Sequence, residues 1–347
     1  MKALLMETYK QVIYTEVPDP VITGPHEVLV RVKAVSICGS DVHGFDGSTG
    51  RRKPPIIMGH EAAGELVALG AGVTGFQVGE GITFDSTIYC GHCFYCRNGQ
   101  VNLCEHRVVL GVSCDEYRRQ GAFAEYVVVP DHICYRLPLG LSYHEAALTE
   151  PVGVAAHALR ITPVGLNETV AVVGTGLIGL LLIQILRTTT AGKLIALDTD
   201  PARRKTALSP GADVALDPGD PDLETQIRNL SFGRGVDRAF EAVGATAPIK
   251  TAIAITRKGG SVTLIGNVSP SIELPLQSVV SRQISLLGSC AIAGEYPIAL
   301  DLMARKRIDV GSLISKQAPL REGQIWLDKL YNREDNLLKV VLIPREE

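Results

Sequence analysis

Aromatic residues are scarce, at 5% of the chain with a single tryptophan, and charge of neither sign accumulates into a block. A nucleic-acid reader needs a basic stripe or stacking platform; with a net charge of −3 the chain carries no such footprint for nucleic acid or an anionic membrane. Long apolar runs are missing as well. The most apolar stretch, 172–186, is too short to span a bilayer and is interrupted by Gly and Thr. The opening MKALLMETYK lacks the apolar core and cleavage site of a secretory signal, so a cytoplasmic location is expected. Eight cysteines in 347 residues do not make a disulfide scaffold, and reduced, metal-binding thiols are the better reading. Cys114, Cys134 and Cys290 fall outside the clusters described next, and each is expected to be an inert packed thiol.

Four of the cysteines stand together in CGHCFYCRNGQVNLC. Cys90, Cys93, Cys96 and Cys104 follow a C-x2-C-x2-C spacing with a fourth thiol eight residues on, which can wrap one tetrahedral Zn²⁺. Four sulfur ligands leave no open position, so this ion is expected to hold a loop and perform no chemistry.

The chain is long enough for two domains with a large core. Its first 150 residues read as β-rich: 27–35 (EVLVRVKAV), 64–69 and 125–129 alternate or run apolar between Gly and Pro turns. From about residue 168 the texture changes. Strand candidates at 169–173, 193–197, 214–216, 236–242, 261–265 and 284–287 alternate with helical stretches, among them 177–187. That alternation predicts an α/β, doubly wound parallel sheet of the Rossmann type. A helix at 298–306 and a strand at 338–343 are expected to return to the first domain. The boundaries predicted are 1–152 with 290–347 for the β-rich domain and 153–289 for the Rossmann domain.

Gly174, Gly176 and Gly179 form G-x-G-x-x-G between an apolar strand and an apolar helix, the context a dinucleotide needs. The first glycine allows the tight turn, the second admits the pyrophosphate, and the third lets helix and strand pack, with the helix N-terminus facing the phosphates. Nineteen residues past Gly179, Asp198 ends the next strand. A carboxylate there accepts ribose hydroxyls and repels a 2′-phosphate, so NAD is favoured over NADP. Arg203 and Arg204 follow within reach of the adenine or a phosphate.

A second set of ligand types is dispersed. Cys38 lies in SICGSDVH, and His60 and Glu61 lie in PPIIMGHE. Three protein ligands and an open position are the catalytic arrangement of zinc. Glu150, in LTEPVG, is a candidate fourth ligand or a neighbour of the ligands, and Asp41 and Glu61 are candidates to orient His60 through its other ring nitrogen.

Taken together, CGSD-x-H (38–43), GHE (59–61), the four-cysteine lobe (90–104), EPVG (150–153), GTGLIG (174–179) and the terminal KVVLIP resemble the zinc-containing medium-chain alcohol and polyol dehydrogenases. The texture is most similar to the sorbitol, L-threonine and sugar-alcohol-phosphate dehydrogenase branch, where a Glu, here Glu150, stands in place of a second zinc Cys. The resemblance implies that the β-rich domain is GroES-like and that Cys38, His60 and Glu61 hold a catalytic zinc, with Glu150 ligating directly or through water. It implies that Cys90, Cys93, Cys96 and Cys104 hold a structural zinc, giving two per chain, and that Ser40 and His43 relay a proton. Ile178, Asp198 and Arg203 would touch the adenosine half of NAD. Ile265, Gly266, Ser289 and Cys290 would lie near its nicotinamide.

The activity implied is hydride transfer from a secondary alcohol or polyol to NAD, with L-threonine 3-dehydrogenase and sugar-alcohol-phosphate dehydrogenase as alternatives. Zinc would act as a Lewis acid on the hydroxyl, and the proton would leave through Ser40, by way of the ribose hydroxyl, to His43 and solvent. The active site is expected in a cleft between the domains. The implied partner is a small alcohol, with no nucleic acid and no membrane, and the implied assembly is a homodimer or homotetramer. One departure bears on the substrate. Where sorbitol dehydrogenases carry an Arg-Tyr pair, this chain has Ala291 and Ile292, which predicts a smaller or less polar substrate, or recognition from elsewhere.

Overall fold

The computed structural model describes residues 1–114, 117–189 and 191–345. The chain divides into two compact units, Met1–Glu150 with Ile292–Glu347, and Pro151–Ala291. No helix among the described residues is long and apolar enough to cross a membrane.

The first unit is organised by the strand Glu27–Ser36, whose alternating apolar residues Val28, Val30 and Val32 are buried. Period-two burial of this kind is what a sheet with one covered face demands. The seven-stranded sheet runs Cys134–Arg136, Gly81–Phe84, Glu61–Leu69, Glu27–Ser36, Lys339–Ile343 and Ile314–Pro319, with Tyr126–Pro130 also paired to Glu27–Ser36. Its pairings are antiparallel except for Ile314–Pro319 with Lys339–Ile343. A hairpin, Lys2–Thr8 and Gln11–Glu16, joins Ile56–Ile57 in a second small sheet. Phe45, Met58, Phe84 and Phe123 fill the core between these layers.

Register decides what gathers at one end of the large sheet. Ser36 lies opposite Glu61, and Ile37 N–H donates to Val340 C=O at 2.9 Å. The end of one strand therefore meets the starts of two others: Cys38 follows the first, His60 immediately precedes and Glu61 begins the second, and Lys339 begins the third.

The second unit is a six-stranded parallel sheet in the order Val214–Leu216, Leu194–Leu197, Val170–Val173, Val236–Glu241, Thr256–Leu264, Ser285–Gly288. Numbered within the unit this is 3-2-1-4-5-6, the doubly wound dinucleotide-binding topology. Val170–Val173 and Leu194–Leu197 are buried throughout, as strands covered on both faces must be. Strand 256–264 begins five residues earlier than the sequence suggests. The pair Gly259-Gly260 sits inside it; Gly259 takes φ +69° and the ladder with the neighbouring strand is irregular between Val236 and Arg238.

Candidate functional site

Cys93 N-caps the short helix Phe94–Arg97, and a single 3₁₀ turn, Val101–Leu103, delivers Cys104. These turns fold four thiols back on one another, with all four sulfur atoms within 4.8 Å. Cys93 and Cys96 lie 3.5 Å apart and Cys90 and Cys96 4.0 Å apart. A tetrahedral ion with sulfur at about 2.3 Å needs edges of about 3.8 Å, so the set fits zinc. Backbone N–H groups already point at the sulfurs: Cys93 to Cys90 at 3.4 Å, and Cys90 and His106 to Cys104 at 3.3 Å each. Such donors favour thiolate. The Cys93 thiol is drawn down to about 6, first by the backbone at Cys96.

The second cluster forms where the three strand ends meet. Cys38, His60 and Glu61 offer ligand atoms within 4.8 Å of one another. Cys38 also caps the helix Gly39–Phe45, its sulfur accepting from Ser40 N–H at 3.4 Å while Asp41 returns a carboxylate oxygen to Cys38 N–H at 3.2 Å. His60 is 5% exposed, with Nδ1 3.4 Å from Asp41 Oδ1 and Nε2 3.4 Å from Ser40 Oγ. Asp41 thus occupies the side of the ring away from Ser40. Burial alone would lower the His60 pKa, but the Asp41 carboxylate and Cys38 outweigh it and hold the imidazole well above its usual value. Burial likewise opposes the Asp41 charge, yet His60 and Arg52 draw that carboxyl far below the ordinary range. Binding a cation here would therefore release a proton from the ring.

Glu61 does not orient His60, contrary to the reading of the sequence. Its Oε2 accepts from Lys339 Nζ at 2.7 Å and from the Ser36 hydroxyl, because Lys339 begins the neighbouring strand and Ser36 lies opposite in register. That leaves Oε1 for another partner. Glu150 lies outside the 4.8 Å cluster but close enough to feel it: burial first, then the Glu61 charge, push its carboxyl up to about 8. Ser40 and His43 are i, i+3 neighbours on one helix, and both are exposed.

Two residues here escaped the sequence reading. Arg52, 2% exposed, pairs with Asp41 at 2.9 Å, and nothing in the RRKPP run signals this. Lys339, also 2% exposed, had a faint signal: a lysine heading the apolar strand KVVLI has to bury its charge against something.

In the second unit, the dinucleotide candidates stand at the carboxyl ends of the parallel strands. Gly174 follows Val170–Val173 with φ +90°, and a Cβ on Gly179 would lie 2.0 Å from Gly174 C=O, so the turn and the helix Leu177–Leu186 require both glycines. Gly176 caps that helix facing open space. Ile178 lies in its first turn, and Arg203 is exposed on the helix Pro201–Leu208. Asp198 follows Leu194–Leu197; its Oδ2 accepts from Thr175 N–H at 2.8 Å and Thr175 Oγ at 3.0 Å, and its Oδ1 from Asp200 N–H at 2.9 Å. Of roughly four lone-pair sites on a carboxylate, one remains free. Ile265 and Gly266 follow Thr256–Leu264, and Ser289 and Cys290 follow Ser285–Gly288. Ser289 Oγ is buried with no protein partner, an acceptor and donor in want of a ligand.

The chain is similar to known proteins along nearly its whole length. The alcohol dehydrogenase GroES-like domain matches residues 24–139 and the zinc-binding dehydrogenase family residues 178–305. A sorbitol dehydrogenase of Halalkalibacterium halodurans is 34% identical over 95% of this chain and 94% of its own length. A D-arabitol-phosphate dehydrogenase of Enterococcus avium is 33% identical over 96% and 94%. A zinc-binding dehydrogenase structure from Sinorhizobium meliloti 1021, bound to NADP, superposes with a TM-score of 0.89 at 31% identity, over 99% of both chains. The chain belongs to the zinc-containing medium-chain dehydrogenases, and is an oxidoreductase of their alcohol and polyol branch that uses zinc and a nicotinamide dinucleotide.

Proposed function

We propose that this protein oxidises a secondary alcohol of a polyol, sugar alcohol or small diol with NAD, holding two zinc ions per chain. The observation that carries the reading is the convergence of Cys38, His60 and Glu61 within 4.8 Å at the end of one sheet. Cys38 and His60 Nε2 would hold the catalytic ion with Glu61 Oε1, while Glu150 ligates directly or through water; Cys90, Cys93, Cys96 and Cys104 would hold the structural ion. The catalytic ion, when bound, supplies Lewis acidity to the substrate hydroxyl.

The remaining chemistry falls to side chains. Ser40 accepts the substrate proton and passes one to His43, which is exposed and returns it to solvent. Gly174, Gly176, Ile178 and Gly179 receive the pyrophosphate region, and Asp198, with Arg203 near it, receives the adenosine ribose. Because Thr175 occupies two of the Asp198 acceptor sites, the ribose takes the free lone pair on Oδ1 or displaces the Thr175 hydroxyl. A 2′-phosphate against this buried carboxylate would be repelled, which favours NAD over NADP. Ile265, Gly266, Ser289 and Cys290 would approach the nicotinamide.

Ala291 and Ile292 supply no polar pair for a long polyol, so a short diol or a less hydroxylated alcohol is favoured over sorbitol. Assembly as a homodimer or homotetramer is supported by the strand Ser285–Gly288, which ends the second unit's sheet with one edge unpaired among the described residues. Cys38, Cys90, Cys93, Cys96, Cys104 and Cys134 form no disulfide, as fits the reduced thiols of a cytoplasmic protein.

The test is NADH absorbance on a panel of vicinal diols, polyols, sugar alcohol phosphates and L-threonine, with Cys38→Ser alongside. We expect a diol or polyol to turn over with NAD. Cys38→Ser should lose turnover and one zinc while binding NAD as before. Turnover retained in that variant overturns the metal assignment.

A further inference from the structure

We infer that Arg52 is a positioning residue for proton transfer, fixing the direction in which the Ser40 hydroxyl donates. The inference rests on Ser40 being part of the relay, as proposed above. Arg52 is far from the ligand motifs' chemistry in sequence character, yet its guanidinium is buried at 2% exposure beside them. One nitrogen, Nη2, donates to Asp41 Oδ1 at 2.9 Å and to Ser40 Oγ at 3.2 Å. The helix Gly39–Phe45 makes room for it: a Cβ on Gly44 would lie 2.4 Å from Arg52 Cγ. Nε is buried without a partner, so the side chain is not placed to maximise its own hydrogen bonding.

The direction follows from what a guanidinium cannot do. It only donates and does not lose its proton. Ser40 Oγ, having accepted from Arg52, keeps one lone pair to receive a proton and one O–H to give away. Asp41 is occupied in the same way: Oδ1 faces Arg52 and His60, and Oδ2 accepts from Cys38 N–H. Without Arg52, no fixed donor would hold one Oγ lone pair, and the Ser40 O–H would be free to turn away from His43. With Arg52 in place, a proton arriving at Oγ is balanced by one leaving on the O–H toward His43, three residues on along the same helix.

The experiment compares Arg52→Ala, Arg52→Lys, Ser40→Ala and the double variant Ser40→Ala/Arg52→Ala. Zinc content, zinc loss to a chelator and NAD affinity are measured beside kcat, KM and the solvent deuterium isotope effect on the best alcohol of the panel. We expect Arg52→Ala to keep both zincs and NAD affinity, to lower kcat about tenfold or more with KM little changed, and to raise the isotope effect. Added guanidinium should restore part of kcat in Arg52→Ala. The double variant should be no slower than Ser40→Ala. A wild-type kcat in both Arg52 variants, or loss of zinc in step with activity, overturns the inference. Ser40→Ala with full kcat instead overturns the relay itself, which separates the two failures.

Discussion

A lysine at 2% exposure has to be neutralised, and Lys339 is neutralised by Glu61 at 2.7 Å, with Ile37 C=O accepting a further hydrogen bond at 3.1 Å. Burial would lower the Lys339 pKa, but Glu61 and its neighbours raise it, so the ammonium is kept. Removing one member of such a pair strands the other. Lys339→Met is expected to destabilise the first unit by about 3–5 kcal/mol, seen as a lower melting temperature. Glu61→Gln/Lys339→Met should recover much of that loss; equal melting of single and double variants would count against the pairing. At this scale, sequence legibility followed chemistry. Cysteine, histidine and paired carboxylates announce themselves by ligand type and spacing, as Cys38, His60 and Glu61 do. Arg52 and Lys339 act as counter-charges supplied by distant segments, and no local spacing encodes that service. The same is true of Thr175, whose grip on Asp198 depends on a turn and a strand end meeting in space.

Local elements were legible where propensity and tertiary packing agree. The helix Leu177–Leu186 is apolar nearly all round and buried nearly all round. The helix Gly39–Phe45 was not singled out, since two glycines and a serine weaken it; it forms because Cys38 and Asp41 cap it reciprocally. The edge strand Ile314–Pro319 was missed for another reason, as its exposed Ser315, Lys316 and Gln317 give no period-two signal. The four-cysteine lobe is the opposite case. It has almost no core of its own, and its turns are held by what the sulfurs share. Cys104→Ser should lower bound zinc from two ions to one per chain and loosen 90–104 to proteolysis, leaving NAD affinity intact. Metal analysis still giving two ions would refute a closed S₄ site.

At the scale of the whole molecule, stability should carry a pH signature from Asp85. It is 3% exposed at the end of Gly81–Phe84, and burial, helped by Glu295, pushes its carboxyl up to about 7 against the Thr87 N–H that favours its charge. A folded pKa above the unfolded 3.8 means the folded chain holds the proton longer. Below 3.8 the group is neutral in both states and indifferent. As pH rises from there through about 7, stability is lost, and above 7 the full penalty applies. Asp85→Asn should therefore melt higher than the parent at pH 8 and no higher at pH 4. A constant difference across that range would exclude Asp85 as its source. The parallel-sheet fold class was readable because periodicity switches near residue 168, but which strands neighbour which was not, since pairing is decided by register and not by order along the chain.

The ion pair between Glu61 and Lys339 spans 278 positions of sequence. Between its members lies a continuous α/β unit that can close on itself. A ribosome therefore releases Glu61 long before its counter-ion exists, and the large sheet stays open between Glu27–Ser36 and the place of Lys339–Ile343. During synthesis the nucleotide-binding half is free to mature first, while the metal-binding half waits, with an unneutralised carboxylate and an unfilled sheet edge, for one late strand.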